Sequence, residues 1–180
     1  MISYHRVKTD QELREILELQ ELNLGKKTPF IERSKEGFVT LQHDFEMLKK
    51  MNDQCAHCVA KKNGKVVAYV LAMLQDFKRD IPLLVPMFDE IDKELEAHGK
   101  GNNYIVMGQT CIAKVMRGKG VFRGLYLFMC AQLKGSFDRL ITEVDVKNIR
   151  SSGAHRAIGF ELLKNHTLNR QVWEIISLKI

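Results

Sequence analysis

Residues 115–129 read VMRGKGVFRGLYLFM. Between 117 and 124 three basic residues (Arg117, Lys119, Arg123) alternate with three glycines (Gly118, Gly120, Gly124), and the chain then turns apolar. Two readings fit the stretch by itself. One is a glycine turn with solvated cations around it. The other is an anion cradle at the start of a buried helix, because a helix N-terminus offers unpaired N–H groups and partial positive charge. Glycines would let the backbone come close to a phosphate there.

The flanks favour a helix entered from a strand. Residues 104–112, YIVMGQTCI, read as a strand, 121–134 as a helix closed by Gly135, and 139–146 as the next strand. Residues 149–157 read as a helix, and 160–167 and 171–179 as two closing strands. Upstream, residues 2–7 form a short strand. Thr9 and Glu12 have capping-box spacing before a helix whose apolar face is Leu13, Ile16, Leu17 and Leu24, with Gly25 as its C-cap. Residues 26–40 read as loop, and 41–51 as a second helix with Leu41, Phe45 and Leu48 inward. Strands over 55–61 and 65–74 meet at Asn63-Gly64, a type I′ hairpin signal, and KVVAYVLAML is apolar on both faces, as a central strand must be. Residues 75–103 hold a loop and a helix from about Pro86 to Ala97, ended by Gly99.

Composition bounds the rest. A chain of 180 residues, 45% apolar and 28% charged, is one domain of ordinary globular make-up. No apolar run approaches the roughly 18 residues of a membrane span, and MISYHRVKTD lacks the apolar core of a secretory signal, so the expected location is cytoplasmic. The net charge of +6 favours anionic partners without naming one. Nucleic acid is disfavoured, because no basic helix carries interleaved aromatics and the acids at 89–96 form a separate helix. That acidic face either solvates the helix or attracts a cation. Cys55, Cys58, Cys111 and Cys130 do not form a disulfide framework. Cys55-Ala-His-Cys58 has the spacing of a zinc half-site but no partner pair, and no metal is expected.

The 117–124 stretch is neither GxxxxGK[ST] nor GxGxxG; its glycines give GxGxxxG. Arg117-Gly-Lys-Gly-Val-Phe122, five positions after Ile112, instead resembles the acyl-CoA pyrophosphate loop of GNAT-type N-acetyltransferases, [Q/R]xxGx[G/A]. VKNIRSSGAHRAIGF, residues 146–160, resembles that family's second motif, with Asn148, Ser151 and Gly159-Phe160 at the expected offsets. The resemblance covers nearly the whole chain, least of all 75–103. It implies a single α/β domain over 1–180, with a mixed, mostly antiparallel sheet of about seven strands flanked by helices on both faces. It implies transfer of an acetyl group from acetyl-CoA, as cosubstrate and without a metal, to a small-molecule or peptide amine by direct attack. A non-catalytic CoA-binding module on the same scaffold is the alternative, and a homodimer stays open.

The residues carried over follow the motifs. Arg117, Gly118, Lys119, Gly120, Val121, Phe122 and Arg123 would cradle the diphosphate, with Phe122, bulky where the family has a small residue, turned into the domain. Backbone groups at Cys111, Ile112 and Ala113 would pair with the pantetheine arm, joined by Asn148 and Ser151; Asn148 reads equally as a helix cap. His155 stands where many members carry a tyrosine acid, and is either that acid or a buried helix residue. Glu143 is the carboxylate nominated as base. Gln109 and Thr110 either line the acceptor site or are satisfied strand residues, and Cys111 reads as core.

Overall fold

The computed structural model describes residues 1–24 and 42–180. Its strands are β1 (Ile2–Arg6), β2 (Cys58–Lys62), β3 (Lys65–Met73), β4 (Tyr104–Ile112), β5 (Arg139–Asp145), β6 (Glu161–Leu168) and β7 (Gln171–Lys179). Its helices are α1 (Asp10–Leu22), α2 (Phe45–Gln54), α3 (Val85–Ala97), α4 (Val121–Leu133) and α5 (Ile149–Arg156). The strands form one sheet in the order β1-β2-β3-β4-β5-β7-β6, antiparallel throughout except for the β4–β5 pair. The expected α/β class, seven-stranded sheet and two helical faces are all present.

Local signals account for most of these elements. Thr9 Oγ1 accepts from the Glu12 N–H while Glu12 reaches back to the Thr9 N–H, closing the capping box at the start of α1. Asn63 and Gly64 both have positive φ, 52° and 81°, as a type I′ turn demands. In β3 the run 68–73 is buried on both sides. Leu71 and Met73 pack under α1, α2 and α3, and Val70 and Ala72 pack under α4. Neighbouring residues of β4 divide in the same way, Val106 to the first face and Met107 to the second.

Two boundaries move. The second helix begins at Phe45, not 41, because Asp44 caps it by accepting from the Met47 N–H at 2.7 Å; it then runs on to Gln54. That length delays the following strand from 55 to Cys58. The expectations for Gly25, residues 26–40 and Leu41 lie outside the described residues.

The CAHC stretch packs into the core. Cys58 is fully buried, which pushes its thiol up to about 12, and Cys55 Sγ takes an Arg6 N–H at 3.4 Å. His57 donates to the Leu48 carbonyl (3.2 Å) and accepts from the Ala72 N–H (3.1 Å). The second contact serves a β3 amide beyond the last rung with β2. No helix of the described residues is long and apolar enough to cross a membrane.

Candidate active site

The site begins where the sheet stops being a sheet. β4 and β5 pair only from Tyr104↔Arg139 to Val106↔Ile141. Thr142 Oγ1 bonds the Met107 carbonyl at 2.9 Å, and beyond that the pairing ends. On the other side of β4 the register with β3 shifts between Leu71 and Ala72, a bulge at Gly108. β4 therefore bends away from β5 and leaves an unpaired edge. The Ala113 N–H bonds Val67 O, so alternation turns the N–H groups of Thr110 and Ile112 toward the opening. The Ala113 N–H is committed within the sheet, and Thr110 shares the open edge with Ile112.

One cavity, of about 330 Å³, lies between that edge, the loop after it, and α4 and α5. Gly118 and Gly120 have φ of 71° and 75°, and a Cβ at either would meet nothing within 4 Å. Glycine thus answers the left-handed backbone, and open space faces it. Gly120 is the N-cap of α4, and Val121, Phe122 and Arg123, whose N–H groups lack intrahelical acceptors, line the cavity. Arg117 donates to the Ile112 carbonyl (3.2 Å) and to Asn23 Oδ1 (2.8 Å), tying the loop to β4 and to the end of α1. Arg123 donates to the Ala157 carbonyl, joining α4 to the end of α5. Lys119 is exposed beside the loop and Arg150 lies on the wall. Phe122 turns inward as expected, its ring 4.8 Å from Tyr126 and 5.1 Å from His155.

A second cavity, of about 240 Å³, opens on the other side, walled by β4, β5, the start of α3 and the β6–β7 turn. Thr110, Asn148 and Ser151 border both cavities. Asn148 caps α5 through the Ser151 N–H, so one residue fixes a helix end and stands at the junction. Glu143 lines the second cavity, hydrogen-bonded to His166 of β6. Burial raises its pKa and the His166 contact opposes that rise.

His155 is 1% exposed. Its Nδ1 donates to the Ser151 carbonyl (2.8 Å) and its Nε2 accepts from the Tyr126 hydroxyl (2.7 Å). Burial lowers its pKa to about 4.

The sequence from 13 to 160 matches the model of the acetyltransferase (GNAT) family. The chain belongs to that family. No curated protein sequence matches it significantly. Its fold is similar to that of the Escherichia coli ribosomal-protein-S18-alanine N-acetyltransferase, at TM-score 0.68 and 12% identity over 100% of this chain and 94% of that one. It is similar also to the Drosophila melanogaster polyamine N-acetyltransferase, an enzyme that forms N-acetylagmatine (TM-score 0.70, 11% identity, 100% of each chain). A third similar structure is the NatC complex bound to Gag peptide and CoA (TM-score 0.67, 11% identity, 99% and 98%). At such identities the likeness concerns the fold alone.

Within this GNAT domain the residues nominated at 111–112, 117–118, 120–123, 148 and 151 line one cavity, and Ala113 and Lys119 lie outside its lining. Glu143 and His155 fall on the second. The sequence reading missed His166, Tyr126 and Trp173. Their partners come from other strands and helices, and nothing local marks them. Gln109 is a satisfied strand residue that also faces a cavity. It borders the second cavity, and its Oε1 accepts from Tyr69 (2.6 Å) and Gln20 (2.7 Å).

Proposed function

We propose that this chain is an acetyl-CoA-dependent N-acetyltransferase that brings an amine to the acetyl group across the β4–β5 opening, without a covalent acyl-enzyme. One observation carries the reading: an anion cradle and a carboxylate-bearing cavity, on opposite sides of the opening, share Thr110, Asn148 and Ser151. The cradle fits a diphosphate, with open space over Gly118 and Gly120, unpaired amides on α4, and cations at 117, 119, 123 and 150. Bound acetyl-CoA supplies an activated acetyl thioester.

The chain's own residues do the rest. The N–H groups of Thr110 and Ile112 hold the pantetheine arm against the strand edge and point at the thioester carbonyl, where charge gathers. Glu143 takes the proton from the incoming ammonium, directly or through water; a pKa raised by burial suits a base working near neutrality. His155 serves the core and not the proton transfer. With its pKa near 4 the imidazole is neutral at pH 7, and both nitrogens are engaged inside the core. Water at the junction returns the proton to the departing thiolate.

The test is binding and turnover in one variant pair. Saturating acetyl-CoA should raise the parent's Tm, a stabilisation of about 2.7 kcal/mol at a hundredfold excess over Kd. Gly120→Asp should fold, since aspartate tolerates a left-handed φ better than most residues, yet lose that shift because its charge opposes the cradle. An unchanged parent Tm at millimolar acetyl-CoA refutes the cradle. Acetyl-CoA binding without thiol release from any amine would favour a binding module instead.

A further inference from the structure

The acceptor cavity has a polar end and an apolar body. The polar end carries two carboxylates, Glu143 and Asp145. Among the described residues Asp145 takes neutral donors alone, the Lys147 N–H (2.9 Å) and the Gln171 amide (2.6 Å), so no described cation cancels its charge. Met73, Leu84, Met87 and Trp173 make the body. Among the described residues no lysine or arginine lines this cavity. At about 240 Å³ it is smaller than the roughly 300–1,000 Å³ of sites for drug-sized ligands.

From this arrangement, and resting on the acetyltransferase reading, we propose that the acceptor is a small primary amine on an uncharged apolar body, an arylalkyl or short alkyl amine. Its ammonium docks on Glu143 and its body lies against Trp173, Met73 and Met87. The two carboxylates attract an ammonium and repel a carboxylate beside it, which disfavours free amino acids. The second cation of a polyamine could meet Asp145, but a third would have to leave water for the apolar body of the cavity. The nearby acids of α3 do not offer it a partner, because Glu90 is paired with Lys164 at 2.7 Å and Asp89 with Lys78. A peptide's amides would meet polar side chains at Thr142, Asn169 and Gln171 but no partner along Met73, Leu84, Met87 and Trp173. In the step itself Glu143 takes one ammonium proton. The amine nitrogen then bonds to the acetyl carbon, the carbon–sulfur bond breaks, and the nitrogen's second proton passes through water to the departing thiolate.

A panel assayed by free-thiol release on the parent protein decides the matter: 2-phenylethylamine, hexylamine, spermidine, phenylalanine, lysine and a short peptide with a free N-terminus. The two apolar amines should exceed the others in kcat/KM by about a hundredfold, the range that buried polar mismatch gives. Trp173→Leu should raise KM for 2-phenylethylamine about tenfold, with a smaller rise for hexylamine. Equal or better turnover of spermidine, phenylalanine, lysine or the peptide overturns the acceptor class and leaves the acetyltransferase reading standing. An unchanged KM for 2-phenylethylamine in Trp173→Leu overturns the docking against that ring. Acetyl-CoA binding with no thiol release from any amine overturns the proposed reaction, and the acceptor class with it.

Discussion

His155 sits among three aromatic rings, with centroids of Phe122 at 5.1 Å, Tyr126 at 5.3 Å and Phe160 at 5.1 Å, all near perpendicular to it. Its hydrogen bonds fix the neutral tautomer: the backbone carbonyl of Ser151 can only accept, so Nδ1 carries the proton and Nε2 receives the Tyr126 hydroxyl. His155→Phe keeps the ring packing but leaves a fully buried phenol without that acceptor. The expected cost is about 1–3 kcal/mol of stability. Turnover should stay within about twofold, since a removed general acid costs on the order of 10²-fold. Denaturant unfolding and steady-state kinetics on the same preparation separate the two. A hundredfold fall in kcat at unchanged acetyl-CoA affinity would return the proton to His155.

α4 shows how one element answers to two demands. On the proposed reading its N-terminus stays open for the diphosphate, while its body lies close on the sheet edge. Gly124 makes the second possible: a Cβ there would come within 2.1 Å of the Tyr4 hydroxyl oxygen and 2.5 Å of Cζ on β1. Two effects oppose each other in Gly124→Ala. Helix propensity gains up to about 1 kcal/mol, whereas Tyr4 must swing out and lose its packing, including its stacking on Phe128. Expulsion of a large side chain outweighs the propensity gain, so the substitution should destabilise by about 1 kcal/mol. In a Tyr4→Ala background the same change should stabilise, and a double-mutant cycle by urea unfolding reads the reversal. An equal effect of Gly124→Ala in both backgrounds would dismiss the contact. The glycine spacing was plain in the sequence, but its cause was not: Gly118 and Gly120 serve backbone conformation, and Gly124 serves a close approach.

Across the molecule three buried histidines share one state. Burial lowers His43 and His155 to about 4 and His57 to about 3, and all three are hydrogen-bonded as neutral rings. The unfolded chain binds these protons near pH 6.5, whereas the folded chain refuses them until well below that. Their contribution is therefore fully present above about pH 6.5 and is lost as pH falls toward 4. Tm should drop on acidification from pH 7 to pH 5, and a flat profile over that interval would contradict the neutral burial of these rings. The sequence by itself determined the strands and helices, the Asn63-Gly64 turn, the capping box and the glycine loop at the head of α4, because each depends on residues a few positions apart. Only the tertiary structure decided where β4 leaves β5, which cavities that opening joins, and what Glu143 and His155 touch. Those outcomes hang on strand register and on pairs far apart in the chain, 23 residues for Glu143 and His166 and 29 for Tyr126 and His155. Periodicity reports which face a residue turns inward; it carries no information about which distant side chain meets it there.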